Sequence, residues 1–251
     1  MKKIIAMLLA LVAVCSLFGC ANTDAGSNTT TNATTEATTE ATTEPAFNEE
    51  DIMSYDAYIA AEMESEVTVA CWVQATQSWW DNKITVYAAD EHGAYFLYEM
   101  ACSEDDAKKL VPGTLIVVTG TKGEWAGEVE IMDATFQFVE DAEVFIVDAE
   151  DMTDMLGSEE IINYQNQLVA FTGLTVKEIS FKNDGGDDIY VTLTKDGKDY
   201  KFCVEVYLTG TETDVYKAVA ALEAGQVVDV ECFLYWYEGM NPHIVGITAA
   251  A

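Results

Sequence analysis

The sequence predicts a mostly β chain. Two tandem five-stranded barrels, each preceded by a short helical segment, follow a secretion signal and a disordered linker. Three observations predict this. Short, alternating, β-branched stretches recur from residue 67 onward. Their order, three strands, a helix and two strands, occurs twice. The joint between the helix and the fourth strand also has the same length in both copies. Leu110 lies three residues before Gly113, and Leu222 three before Gly225; Trp125-x-Gly127 and Tyr237-x-Gly239 each begin 12 residues after those glycines.

The N-terminus reads as an address. Lys2 and Lys3 precede an apolar run from Ile4 to Leu17, too short for a comfortable membrane span of about 20 residues. The ending Leu17-Phe18-Gly19-Cys20 resembles the bacterial lipobox, although Phe18 replaces the smaller residue usual before the glycine. The resemblance implies a signal peptide over 1–19 and a lipid on Cys20, which makes the membrane a partner through that lipid. An ordinary signal peptide cut nearby is the alternative. Residues 20–46 hold almost no large apolar side chain and contain three tandem copies of Ala-Thr-Thr-Glu, from Ala33 to Glu44, ended by Pro45. Such a segment cannot bury enough surface to offset its chain entropy, and its repeated Glu extends it. The composition resembles the tethers of Gram-positive surface lipoproteins.

The first folded unit is expected over 47–147. A helical pattern runs from Glu49 to Glu64. Val67 to Val73 alternates as a strand, Trp79 to Lys83 turns, and Ile84 to Ala88 and Tyr95 to Met100 are the next two strands. Ser103 can cap a short helix whose first turn is acidic, ending at Pro112-Gly113. Leu115 to Thr119 is the fourth strand, Gly120 to Gly127 holds a turn, and Val129 to Val139 is the fifth strand. The second unit, 148–251, repeats the order. A helical segment at Ser158–Gln165 precedes strands at Leu168–Val176, Ile189–Leu193 and Tyr200–Val206. A helix then opens at Thr211 and runs through Leu222, followed by strands at Val227–Phe233 and Ile244–Thr248. Glu140 to Glu160 joins the copies with nine acids and no Lys, and reads as a solvated connector rather than a site, although Phe145-Ile-Val could extend the first barrel or dock between the two.

This order is that of the OB-fold, a five-stranded Greek-key barrel. The passage Leu-x-x-Gly, alternating Val/Ile, then Gly resembles the helix exit and fourth strand of many OB domains. A single β-sandwich with the same strand count is the alternative. The whole chain resembles uncharacterised Gram-positive lipoproteins with tandem OB-like barrels of the tRNA-anticodon-binding type. That resemblance implies a location on the outer face of the cell membrane and a fold, and no activity.

The net charge is −32, from 44 acids against 12 basic residues, all of them Lys. Without Arg there is no guanidinium clamp, and a chain this acidic offers no obvious phosphate-binding groove, so nucleic acid is not an expected partner. His92 and His243 are the only histidines and occupy different positions in the two copies. No Gly-x-Ser-x-Gly elbow and no Cys-x-x-Cys spacing exists. The chain is therefore read as no enzyme, with no cofactor. Cys71, Cys102, Cys203 and Cys232 sit in apolar contexts as buried thiols, while export would also permit Cys71–Cys102 and Cys203–Cys232 pairs. Asp184, Asp187 and Asp188 could offer oxygens to calcium, although an Asn/Asp/Gly-rich hairpin turn explains them without metal. The aromatics are the most suggestive feature. Trp79, Trp80, Trp125, Trp236 and Tyr237 fall on loops that OB-folds use for ligands, whereas Trp72 reads as core. The expected function is a non-catalytic module binding a cell-wall glycan or an envelope protein or peptide. The alternative is a structural adaptor in an envelope complex, with an exported enzyme third.

Overall fold

The computed structural model describes residues 49–183 and 186–250. The signal peptide, Cys20 and tether expected for 1–46 lie outside the described residues, as does Asp184.

The chain opens with a 3-10 turn, Glu49–Asp51, and a single short helix, α1 (Tyr55–Ala60). Ser54 starts α1 by accepting the Ala57 N–H at 3.3 Å. The helical pattern expected to run to Glu64 stops early, because Lys122 finishes the helix from the barrel wall. Its buried ammonium donates to the carbonyls of Tyr58, Ile59 and Ala61 at 2.8–3.0 Å. A cation there satisfies last-turn carbonyls that would otherwise have no partner.

Five strands then close a barrel in the order β1-β2-β3-β5-β4. They are β1 (Glu66–Thr76), β2 (Lys83–Ala89), β3 (Ala94–Ala101), β4 (Leu115–Trp125) and β5 (Glu128–Phe138). Closure is a parallel contact of β3 with β5 at Leu97 and Ile131. The helix between β3 and β4, α2 (Glu104–Ala107), is capped by Ser103 as its sequence predicts. The turn expected over Gly120–Gly127 is different. β4 continues to Trp125, and the reversal is made by Ala126 (φ 53°) and Gly127 (φ 94°) alone. Gly120 and Gly123 lie inside the strand, where a Cβ would meet Ile131 at 2.7 Å and Met132 at 2.1 Å. These glycines allow close approach across a bulge between Thr119 and Thr121, and do not mark a turn.

The second sheet has the order β10-β11-β9-β8-β7-β6, and β10 also pairs with β7. Its strands are β6 (Glu150–Asp151), β7 (Leu168–Phe181), β8 (Ile189–Lys195), β9 (Lys198–Val204), β10 (Val227–Phe233) and β11 (His243–Ala249). β9 meets β11 in parallel at Cys203 and His243, as β3 meets β5. The segment before β7 is 3-10 turns at Thr153–Met155 and Glu159–Tyr164. The third strand stops at Val204 and not at Val206, because α3 (Val206–Thr209) starts there. Asp188 accepts the Val206 N–H at 3.0 Å, and Glu205 accepts that of Leu208 at 2.8 Å. The expected helix is α4 (Asp214–Ala220), capped by Thr213 and shorter at both ends than the pattern from Thr211 to Leu222.

The acidic connector keeps its acids in solvent, as expected, but Phe145 and its neighbours dock on the first barrel. The Trp72 indole donates to the Glu143 carbonyl at 2.8 Å, and its ring lies 5.2 Å from that of Phe145. Gln74 donates to the Phe145 carbonyl at 3.3 Å and accepts the Val147 N–H at 3.0 Å. Trp72 is therefore an outward-facing clamp and not barrel core: Cys71 and Val73 take the inward positions beside it. All four described cysteines are free, buried thiols.

Each sheet encloses its own apolar core, and a third cluster joins the two. Tyr87 and Phe96 from the outer face of β2 and β3 meet Phe233 of β10, with the Tyr87 and Phe233 rings stacked at 4.3 Å. The Tyr87 hydroxyl and His243 Nδ1 share a buried hydrogen bond of 2.9 Å. Nearby, the fully buried Glu128 carboxylate accepts from Asn166 Nδ2 at 2.5 Å and from the Trp236 N–H at 2.7 Å. Gln165 adds two bonds to the tip of the β4–β5 hairpin, at Gly127 and Val129. The two halves are thus held by stacked rings and by hydrogen bonds from Asn166 and Gln165 and between Tyr87 and His243, while the buried Asn166 Oδ1 is left without a partner among the described residues.

Candidate functional site

The β1–β2 turn is made by Trp80, Asp81, Asn82 and Lys83. Asp81 and Asn82 both have positive φ, which Asp and Asn tolerate, and Trp80 and Lys83 pair backbone to backbone across the turn. This holds the Trp80 ring out from the barrel, 60% exposed, whereas Trp79 folds inward and donates its indole N–H to the Cys102 carbonyl at 2.8 Å. Across from the turn, β3 bulges. Its register against β2 shifts between Ile84 and Val86, and Glu99 sits at φ 45°. A non-glycine residue in that region is strained and persists only where its surroundings impose it. Here Thr85 accepts the Glu99 N–H at 3.1 Å, and Lys83 holds the carboxylate at 2.7 Å. The bulge turns Tyr98 and Glu99 outward together.

The third wall comes from α3, beside the second sheet. The Tyr207 carbonyl of α3 accepts the Ser78 N–H at 2.7 Å and the Ser78 hydroxyl at 3.2 Å. Its ring is left 61% exposed. Trp80, Tyr98 and Tyr207 thereby line one cleft of about 410 Å³, with Gln77, Lys83 and Glu99 between them. The cleft is a product of both halves of the fold.

Its electrostatics follow from burial. The hydrogen bond and charge of Glu99 raise the Lys83 ammonium pKa, so that cation stays charged. Three acids around the inter-barrel seam are shifted upward. Burial takes Glu128 to about 8, with the bonds from Asn166 and Trp236 pulling the other way. Burial and then the charge of Glu99 take Glu130 to about 7, and burial and then Asp188 take Glu205 to about 7. Burial lowers His243 to about 3, so it is a neutral structural ring.

The sequence candidates separate into groups. Trp80 stands in the cleft, and Trp79 packs against the first-barrel core. Trp125, Trp236 and Tyr237 gather elsewhere, where the β4–β5 hairpin tip meets the β10–β11 loop. Glu238 donates to the Ala126 carbonyl at 2.7 Å, and a Cβ on Gly127 would lie 2.9 Å from the Trp236 ring. Trp236 is half-buried there, while Trp125 and Tyr237 are exposed. Asp187 and Asp188 are occupied by protein groups. Asp188 holds Lys182 at 2.9 Å as well as the start of α3, and Asp187 accepts from Asn183 and from the Asp188 N–H. Among the described residues no group of three or more His, Cys, Asp or Glu is arranged to hold a metal. His92 sits in the β2–β3 turn, where its N–H is taken by Asp90 at 2.7 Å.

Sequence reasoning missed Tyr98, Glu99 and Tyr207. Tyr98 had a signal: Tyr95-Phe96-Leu97-Tyr98 breaks strand alternation, as it must where both faces are covered and a bulge intervenes. Tyr207 had none, because it reads as part of a strand end.

No protein-family description and no curated protein matches the chain. Solved structures do, at low identity. A murine DNA-binding protein bound to double-stranded DNA is 10% identical, with a TM-score of 0.37, covering 73% of this chain and 96% of that one. A replication protein A heterotrimer bound to single-stranded DNA is 12% identical, with a TM-score of 0.33, covering 82% of this chain and 52% of that one. The Ifi202 HINa domain in complex with a 20-base-pair duplex is 14% identical, with a TM-score of 0.34, covering 75% and 98%. The sequence-based exclusion of nucleic acid is corrected on this finding. Proteins in complex with DNA stand among those the chain is similar to.

Proposed function

We propose that the protein is a non-catalytic ligand-binding module of two tandem OB-like barrels, held on the outer face of a cell membrane by lipid on Cys20. The observation that carries the binding role is the cleft. Three large rings from two barrels stay exposed around one cleft, beside a strained Glu99 that the fold holds in place. Folding alone favours burying such rings, at roughly 25 cal/mol per Å² of apolar surface. Tandem barrels are supported by the matching parallel closures of β3 on β5 and β9 on β11. A non-catalytic role is supported by the two histidines, one buried and neutral and the other in a surface turn. The anchor rests on the lipobox-like ending and on the likeness to Gram-positive surface lipoproteins. Cys20→Ser is expected to release the chain from the membrane fraction; release into the medium tests it, and retention contradicts it.

The ligand test is intrinsic tryptophan emission of the full chain, titrated with cell-wall glycans, with peptides, and with single- and double-stranded DNA. One class is expected to shift the emission in the wild type, and calorimetry is expected to show its binding weakened in Trp80→Ala. Binding undiminished by that substitution places the site elsewhere, and no shift with any class contradicts the role.

A further inference from the structure

Most polar groups of the cleft are already spent on the protein itself. The Ser78 hydroxyl donates to Tyr207, the buried Thr85 hydroxyl accepts from Glu99, and the Lys83 ammonium is held by Glu99 Oε2 at 2.7 Å. The Lys83 cation is thus held by its carboxylate and is not free for an anion. What remains is the faces of Trp80, Tyr98 and Tyr207, the Gln77 amide and the second carboxylate oxygen of Glu99. That oxygen, Oε1, has only the Tyr98 hydroxyl at 3.4 Å, too long for a strong bond. Ring faces carry negative potential and attract cations, most strongly when water is displaced. The charged side chains lining the cleft are Lys83 and Glu99, already paired through Glu99 Oε2, so the attraction for a further cation comes from the ring faces and from Glu99 Oε1.

We infer that the cleft takes an organic ammonium group, seated against Trp80, Tyr98 and Tyr207 and paired with Glu99 Oε1. The inference rests on the reading of this cleft as the ligand site and adds the chemistry of what enters it. A quaternary ammonium and a primary amine on a sugar share that chemistry, and the probes separate them.

The test titrates the full chain with choline and with glucosamine, each beside an uncharged counterpart: the tert-butyl analogue of choline and N-acetylglucosamine. At least one ammonium probe is expected to quench Trp80 emission at millimolar concentration, with its counterpart about tenfold weaker or more. Raising the salt concentration is expected to weaken it further. With binding read by calorimetry, because substituting Trp80 removes the reporter ring, Trp80→Phe keeps a ring face and is expected to retain binding, while Trp80→Ala and Glu99→Gln each lose about tenfold. Both positions are partly exposed, and an unchanged thermal midpoint certifies the fold. Choline alone identifies a methylated headgroup, and glucosamine alone an amino sugar. Equal binding of charged and uncharged probes overturns the ammonium inference and leaves the cleft as the site. Binding undiminished in Trp80→Ala overturns the cleft. No response to either ammonium, with a response to another ligand class, overturns the inference alone.

Discussion

Stability is expected to peak near about pH 5 and to fall by about 3 kcal/mol by about pH 8, and Glu128→Gln is expected to remove much of that fall. Glu128 is fully buried between the barrels and titrates near 8 when folded, against 4.5 when exposed. Between those values the unfolded chain has released the proton and the folded chain still holds it, so unfolding becomes easier as pH rises. The contribution is fully present below the unfolded value and lost as pH climbs through about 8. Glu130 and Glu205, both raised to about 7, act in the same direction. His243 opposes them at the acid end. Its folded value of about 3 lies below 6.5, so its contribution is lost as pH falls from about 6.5. A glutamine at position 128 never ionises and so removes its share of the fall, but its one oxygen can accept from Asn166 or from the Trp236 N–H and not from both, so stability near about pH 5 is expected to drop by about 1–3 kcal/mol. Urea unfolding across the pH range measures both effects. A profile that is flat between about pH 5 and 8, and unchanged by the substitution, contradicts the assignment.

Phe233→Ala is expected to cost about 3–5 kcal/mol. The ring is buried, stacks on Tyr87 at 4.3 Å and an interplanar angle of 13°, and sits beside the Tyr87–His243 bond. Its removal leaves a cavity between two barrels that each keep their own core. The expected signature is therefore a split: urea unfolding in two steps where the wild type shows one. The same substitution is expected to widen the cleft, because Tyr207 reaches it only while the barrels are docked. A single transition with unchanged midpoint would show that the seam contributes little.

The mostly β architecture and the closed first barrel were legible in the sequence because the strands alternate between turn residues. The register also placed Ser103 and the Asp81-Asn82 turn. What failed was local. Gly120 and Gly123 read as turn residues because sequence shows the glycine and not the Ile131 and Met132 atoms lying against it. The sequence did not show where Phe145 docks, because Trp72 and Gln74, which hold its segment, lie 71 or more residues away. The cleft was half legible. Trp80 stood out, but Tyr98 is aimed by a bulge and Tyr207 by a contact between barrels, and neither leaves a local pattern. Charge misled in one respect, since net charge is a property of the whole chain and a ligand meets one face.

The central claim is that one site is built from both barrels, and the direct test is the affinity of Trp80→Ala and Tyr207→Ala for whichever ligand shifts the emission. Trp125→Ala serves as the control, at the exposed hairpin tip. The account predicts that both cleft substitutions weaken binding by about tenfold or more while the control leaves it unchanged. Loss with Trp80→Ala and full retention with Tyr207→Ala would confine the site to the first barrel, and loss only with Trp125→Ala would place it at the other aromatic cluster; either contradicts the composite cleft.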